Sequence, residues 1–78
     1  MTLEQLAQCG AGWAQERAQV ALEATDAVKS GQISRADYIE LMKDLVNADQ
    51  LNKDADNIEL KAELETAIQG LISIAGSL

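Results

Sequence analysis

The sequence predicts an all-α protein. Helix-forming residues such as Ala, Leu, Glu, Gln and Lys are abundant, proline is absent, and apolar residues recur at the three- and four-residue spacing of helices. The 78 residues fit one helical domain, residues 1–78. We expect an antiparallel helical hairpin with a long or broken second helix, and a three-helix bundle is the alternative.

The first helix is predicted over about residues 3–30. Thr2 and Gln5 form the Thr-x-x-Gln pattern of a capping box, which marks a helix start. A stripe of mostly small residues then follows in alternating four- and three-residue steps: Ala7, Ala11, Ala14, Ala18, Ala21, Thr25 and Val28. Small side chains along one face allow another helix to pack closely.

A tight turn is predicted at residues 30–34. Gly31 can take the left-handed conformation that ends a helix, and Lys29 suits the negative end of the helix dipole just before it. Ser34, with Asp37 three residues later, is typical of the cap of a following helix. The chain therefore turns back on itself as a helical hairpin.

The second helix is predicted from about residue 35 to about residue 75, and its continuity is open. The apolar face of Tyr38, Leu41, Met42, Leu45 and Val46 drifts through Ala48, Leu51, Ala55 and Ile58, and it then returns with Leu60, Leu64, Ala67, Leu71, Ile74 and Leu78. One interpretation places a break at residues 52–57, with Asp56 capping a third helix. The other keeps one helix about 60 Å long at about 1.5 Å per residue. We favour the continuous helix, because neither Gly nor Pro interrupts the ambiguous stretch at residues 52–57.

A continuous second helix would extend beyond its shorter partner and leave an apolar surface exposed to water. That surface is too apolar to stay uncovered, which predicts a protein partner or a second copy. Trp13 has the small neighbours Gly10, Gly12 and Ala14, and it is either an additional anchor of the kind found at interfaces or a residue packed within the hairpin. The candidate interface residues are Trp13, Tyr38, Leu64, Ile68, Leu71, Ile72 and Ile74.

The small size of the chain also favours oligomerisation. A core of this size is marginal, the lone Cys9 cannot form an intramolecular disulfide, and the absence of His weakens the case for a structural metal. We therefore expect a homodimer.

The sequence favours a cytoplasmic location. An unpaired cysteine suits the reducing cytoplasm, no signal peptide is evident at the N-terminus, and the apolar segment 67–78 is too short to span a bilayer.

The charge of the chain restricts its partners. The formal net charge is −7, and nine acidic residues against four basic ones lie beyond Ser34. Such a surface repels phosphate backbones and anionic lipid headgroups, so we expect no direct binding to nucleic acid or membranes. A basic protein partner is favoured instead.

Residues that could support chemistry are few. The segment from Asp26 to Tyr38 resembles an EF-hand calcium loop, but Val28 occupies a ligand position and Asp37 replaces the long bidentate Glu. A capped hairpin requires the same glycine and turn residues, so we predict no metal site. Without His or a Gly-rich phosphate loop, we also expect no enzyme activity and no cofactor.

The function predicted from these observations is a small interaction protein that binds another protein and inhibits, sequesters or escorts it. Hairpins of this size occur among secretion chaperones, phage accessory proteins and assembly subunits, but no diagnostic motif assigns this chain to a family. One alternative is a structural subunit of a virion, tail or secretion apparatus. The other is an acidic mimic of nucleic acid, in which carboxylates replace phosphates: Asp37, Asp44, Asp49, Asp54, Asp56, Glu59 and Glu63.

Overall fold

A computed structural model describes residues 1–78, apart from the side chain of Ala48. It confirms the all-α fold. The elements are α1 (Leu3–Leu6), α2 (Gly12–Lys29), α3 (Arg35–Leu45), α4 (Ala48–Asp54) and α5 (Ile58–Ser73), followed by a 3₁₀ turn at Ala75–Ser77. The Cα atoms span 34 × 23 × 16 Å.

The start of the first helix is confirmed, but its predicted continuity over residues 3–30 is wrong. The Thr2 hydroxyl accepts a hydrogen bond from the Gln5 amide at 3.1 Å, and the Gln5 side chain accepts one from the Thr2 amide at 2.8 Å. Helix α1 ends at Leu6, and the chain does not continue into α2 as one helix because Gly10 adopts a φ of +87°, which lies in the left-handed region. The Gly10 amide then donates to the Gln15 side chain at 3.0 Å.

The alanine stripe lies against the chain's own core. On α2, the side chains of Ala14, Ala18, Ala21, Thr25 and Val28 are all buried. These small side chains bring α2 close to α1, α3 and α5, which pack around it. The stripe is therefore an intramolecular packing face.

The turn after α2 forms as predicted. Gly31 has a φ of +79°, its amide donates to the Val28 carbonyl at 3.3 Å, and the Gln32 amide donates to the Ala27 carbonyl at 2.8 Å. This pattern is a Schellman motif, which satisfies the last carbonyls of the helix. The Ser34 hydroxyl accepts from the Asp37 amide at 3.1 Å and caps α3.

The continuous second helix that we favoured is wrong, because the chain breaks at residues 46–47 and again at 55–57. An asparagine caps each new helix: the Asn47 side chain accepts from the Gln50 amide at 3.2 Å, and the Asn57 side chain accepts from the Leu60 amide at 3.0 Å. The alternative break near residues 52–57 is thus closer to the structure, although Asn57 rather than Asp56 is the cap. Breaking the helix lets α5 fold back onto α1, α2 and α3.

The core is built from side chains of every α-helix. Its larger fully buried side chains are Leu6, Tyr38, Met42, Leu51, Leu64 and Ile68. Most of the apolar surface that a continuous second helix would leave uncovered is therefore covered by the chain itself. Among the large apolar side chains that the structure describes, those still exposed are Met1, Val20, Ile58 and Ile74.

Candidate protein-binding grooves

A shallow groove of about 320 Å³ lies where α2 passes the junction of α3 and α4. We call it the acidic groove. Carboxylates and a guanidinium line its sides, and two aliphatic side chains line its floor: Glu16, Arg17, Val20, Asp44, Leu45 and Asp54. A surface of this kind can contact both the aliphatic stem and the charged head of a basic side chain.

Arg17 holds the acidic groove together. Its side chain is only 15% exposed and joins three segments of the chain. Its Nη2 donates to the Asp54 carboxylate at 2.8 Å, and its Nε donates to the Leu45 carbonyl at 3.2 Å. Its Nη1 donates to the Trp13 carbonyl at 3.0 Å. The guanidinium thus ties the ends of α3 and α4 to α2.

Asp54 is held in its ionised form by these contacts. Hydrogen bonds from Arg17 and then from Gln50, whose Nε2 lies 3.3 Å from the same carboxylate oxygen, lower the pKa of Asp54 below its ordinary value of 3.8. Next to this pair, the Trp13 indole Nε1 donates to the Asp56 carboxylate at 3.0 Å. Both bonds fasten the residues around the break at 55–57 to α2.

The two other carboxylates of the acidic groove are not neutralised. Glu16 and Asp44 are exposed, and neither takes part in a salt bridge among the described residues. They flank Val20, which is 37% exposed, and the half-buried Leu45. The groove therefore combines uncompensated negative charge with an apolar floor.

A second groove, of about 340 Å³, lies between α1, α2 and α5. We call it the leucine groove, because its apolar lining is Leu3, Leu22, Ala67 and Leu71. Glu4 and Lys29 also line it, and they leave it closer to neutral than the acidic groove. This groove is the weaker candidate because its charges do not favour one kind of partner.

The structure divides the seven predicted interface residues. Tyr38, Leu64 and Ile68 are buried in the core and cannot reach a partner while the chain is folded in this way. Leu71 and Ile72 are half-buried, and Leu71 lines the leucine groove. Ile74 is 51% exposed, and Trp13 is half-buried next to the acidic groove. Helical periodicity identifies apolar positions, but core and interface positions share that periodicity.

Sequence reasoning missed the acidic groove because its residues come from distant parts of the chain. Glu16 and Val20 are one turn apart on α2, whereas Asp44 and Leu45 end near a break that was not predicted. The available signal was Arg17 at the edge of the alanine stripe, where a long side chain can reach a neighbouring helix.

Metal ligands, the cysteine and the length of the helices are the remaining features that bear on function. Among the described residues, no three carboxylate or thiol groups converge on a point that could hold a metal ion. Cys9 is half-buried as a free thiol, with its Sγ 3.9 Å from the Ala11 carbonyl. In the part of the chain that the structure describes, every helix is too short or too polar to cross a bilayer.

Comparisons with protein-family models, with curated proteins and with solved structures found no match to this chain.

Proposed function

We propose that this protein is an acidic interaction module that binds a basic segment of another protein in the acidic groove and so inhibits, sequesters or escorts it. The observation that carries the proposal is the position of Glu16 and Asp44, two exposed carboxylates without ion-pair partners, beside the aliphatic side chains of Val20 and Leu45. An arginine or lysine of the partner would place its stem on the aliphatic floor and its charge between the carboxylates.

The rest of the surface supports the same partner chemistry. Every acidic side chain except Glu65 is exposed, and the net charge is −7. A field of this sign attracts basic proteins over a distance of about 8–10 Å at moderate ionic strength and raises the rate at which they associate. The groove would then select among the basic proteins that the field attracts. The lone Cys9 suits a reducing compartment, so we place this activity in the cytoplasm.

The test is a direct binding measurement with paired variants. The probe is a labelled peptide with two arginines flanked by leucines, followed by any protein captured from an extract. We expect Glu16→Gln with Asp44→Asn to weaken binding by about tenfold or more, since rim charges contact the basic side chain. Binding should also weaken as salt is added.

The matched control is Asp26→Asn with Glu59→Gln. These carboxylates are also exposed, lie outside the acidic groove, and their removal changes the net charge by the same amount. We expect this variant to bind within about twofold of the wild type, because it keeps both carboxylates of the acidic groove. Its long-range field changes by the same amount as that of the groove variant, so the difference between the two variants reports the groove alone. A wild-type protein that binds neither the peptide nor any protein would contradict the proposal.

The same pair of variants addresses mimicry of nucleic acid, which is the second candidate. That candidate is favoured by the exposure of carboxylates over the whole molecule rather than in one groove. A mimic depends on the total field, so the two double variants should lose affinity for a basic nucleic-acid-binding protein equally. A groove-specific loss would reject mimicry.

A further inference from the structure

We propose that the chain also forms a domain-swapped dimer, in which α3, α4 and α5 straighten into one helix and α5 of each copy packs into the other copy. The partner is thus a second copy of this chain. The proposal rests on the packing of α5 and on the two helix breaks, and it does not depend on the proposed function.

The surface that receives α5 is described by the contacts within one chain. Helix α5 buries Leu64 and Ile68 completely where it packs on α1, α2 and α3. A second copy's α5 carries the same side chains and can make the same contacts. Exchanging α5 between copies reproduces the packing of α5 in the single chain, and swapping of identical elements is for this reason a low-cost route to a dimer.

The two breaks can act as hinges. Residues 46–47 and 55–57 contain neither Gly nor Pro, and among the described residues the positive φ values are those of Gly10 and Gly31. Every residue of both breaks can therefore adopt helical angles without steric penalty. At each break one asparagine bond, from Asn47 or from Asn57, caps the next helix. The bonds of Arg17 to Leu45 and Asp54, and of Trp13 to Asp56, also favour the broken form and would be given up on straightening.

One face of the straightened helix would need a partner. Leu51, Ala55, Ile58 and Ala62 follow one another in steps of four, three and four residues, the spacing that places apolar side chains along one seam between helices. We call the single chain with both helix breaks the closed chain. In the closed chain these residues are not buried together: Leu51 is buried, whereas Ile58 is 85% exposed and Ala62 is exposed. A second straightened helix crossing the first would cover the whole seam, including Ile58.

The first test uses a proline that fits only the closed chain. Ile58 is the first residue of α5, a position where proline is well tolerated, and Asn57 has the extended angles φ −140° and ψ 109°, close to those favoured before proline. In a straightened helix the same proline would lie in the interior and disfavour each helix by a factor of about 150. The control Ile58→Ala loses the same side chain but keeps the amide.

We expect sedimentation velocity to give a monomer–dimer equilibrium for the wild type and for Ile58→Ala. In Ile58→Pro, dimerisation should be weaker than in Ile58→Ala by roughly 10⁴-fold, since both helices carry the proline. At concentrations low enough for both variants to be monomeric, circular dichroism should give them the same helical content. Equal dimerisation of the two variants, or a wild type that remains monomeric at millimolar concentration, would overturn the proposal.

The second test shifts the equilibrium in the opposite direction. Asn47→Ala with Asn57→Ala removes both caps and places a better helix former in each hinge. We expect this variant to dimerise at least about tenfold more tightly than the wild type. A weaker dimer would argue against straightening, whatever the stability of the variant.

The third test measures the straightened helix directly. Spin labels at Glu40→Cys and Thr66→Cys, both exposed positions, in a Cys9→Ser background would lie about 39 Å apart along one continuous helix at about 1.5 Å per residue. The longest dimension of the closed chain is 34 Å. With labelled chains diluted into unlabelled ones, the dimer should give the longer intrachain distance. A dimer that keeps the intrachain distance of the labelled monomer is not straightened, and that result would overturn the proposal.

Discussion

The buried hydrogen bond between Thr25 and Tyr38 is asymmetric. The Thr25 hydroxyl donates to the Ala21 carbonyl at 2.8 Å, so it accepts from the Tyr38 hydroxyl, also at 2.8 Å. Tyr38→Phe leaves Thr25 with its other partner and should lower the free energy of unfolding by about 1 kcal/mol. Thr25→Val leaves the Tyr38 hydroxyl buried without a partner and should cost about 2 kcal/mol. Urea denaturation measures both values, and a larger loss for Tyr38→Phe would contradict this assignment of donor and acceptor.

The ion pair of Arg17 with Asp54 predicts a dependence of stability on pH. The pKa of Asp54 is lowered in the folded chain, so folding favours the ionised form. The resulting stabilisation is complete above the unfolded pKa of Asp54, near 3.8, and is lost as the pH falls through the lower folded pKa. Titration of the Asp54 carboxyl carbon by NMR should give a pKa below 3.8 in the wild type and a pKa closer to 3.8 in Arg17→Ala, where the hydrogen bond from Gln50 remains.

At this scale the sequence predicts which residues are apolar but not what covers them. The sequence predicts Leu64 and Ile68 at an interface because a continuous helix would expose them, and it places Tyr38 among the candidate interface residues as well. All three are in the core. Arg17 was not identified because its partners, Leu45 and Asp54, are distant in the sequence. Contacts between distant residues depend on the helix breaks, so an error in the breaks carries over to the site.

Replacing a glycine by alanine should change the free energy of unfolding in opposite directions at a helix end and in a helix interior. Gly31 has a φ of +79°, so Gly31→Ala should lower the free energy of unfolding by about 1–2 kcal/mol. Gly70 lies within α5 with open space where a Cβ would be, so Gly70→Ala should raise it by about 0.5–1 kcal/mol. Thermal denaturation of the two variants provides the comparison. A stabilising Gly31→Ala would show that the turn does not require the left-handed angle.

The helix ends that carry strong local signals were predicted, whereas those without such signals were not. Thr2, Gly31 and Ser34 act locally as the sequence indicates. Asn47 and Asn57 are weaker signals because asparagine is tolerated inside helices at a modest cost. The breaks therefore depend on packing: burying Leu64 and Ile68 against the rest of the chain favours two extra helix ends over one long helix.

The whole molecule should become more stable as salt is added. The net charge is −7, and the salt bridges among the described residues are few: Met1 with Glu63, Arg17 with Asp54, and Lys61 with Glu65. Repulsion between carboxylates is then the larger electrostatic effect, and screening reduces it. We expect the melting temperature to rise by a few degrees between low and moderate concentrations of sodium chloride. A control with Glu23→Gln and Asp26→Asn should show a smaller rise.

The central position of α2 also determines the order in which the structure opens. Helix α2 packs against α1, α3 and α5, whereas α4 rests mainly on the buried Leu51 and on the bonds that Arg17 and Trp13 make beside it. Backbone amides exchange with deuterium when their segment opens, so protection should be greatest in α2 and least in α4. A basic segment in the acidic groove, which spans both helices, would therefore slow exchange most in α4. A decrease in deuterium uptake by α4, the helix that opens most readily, would then indicate that the partner is bound.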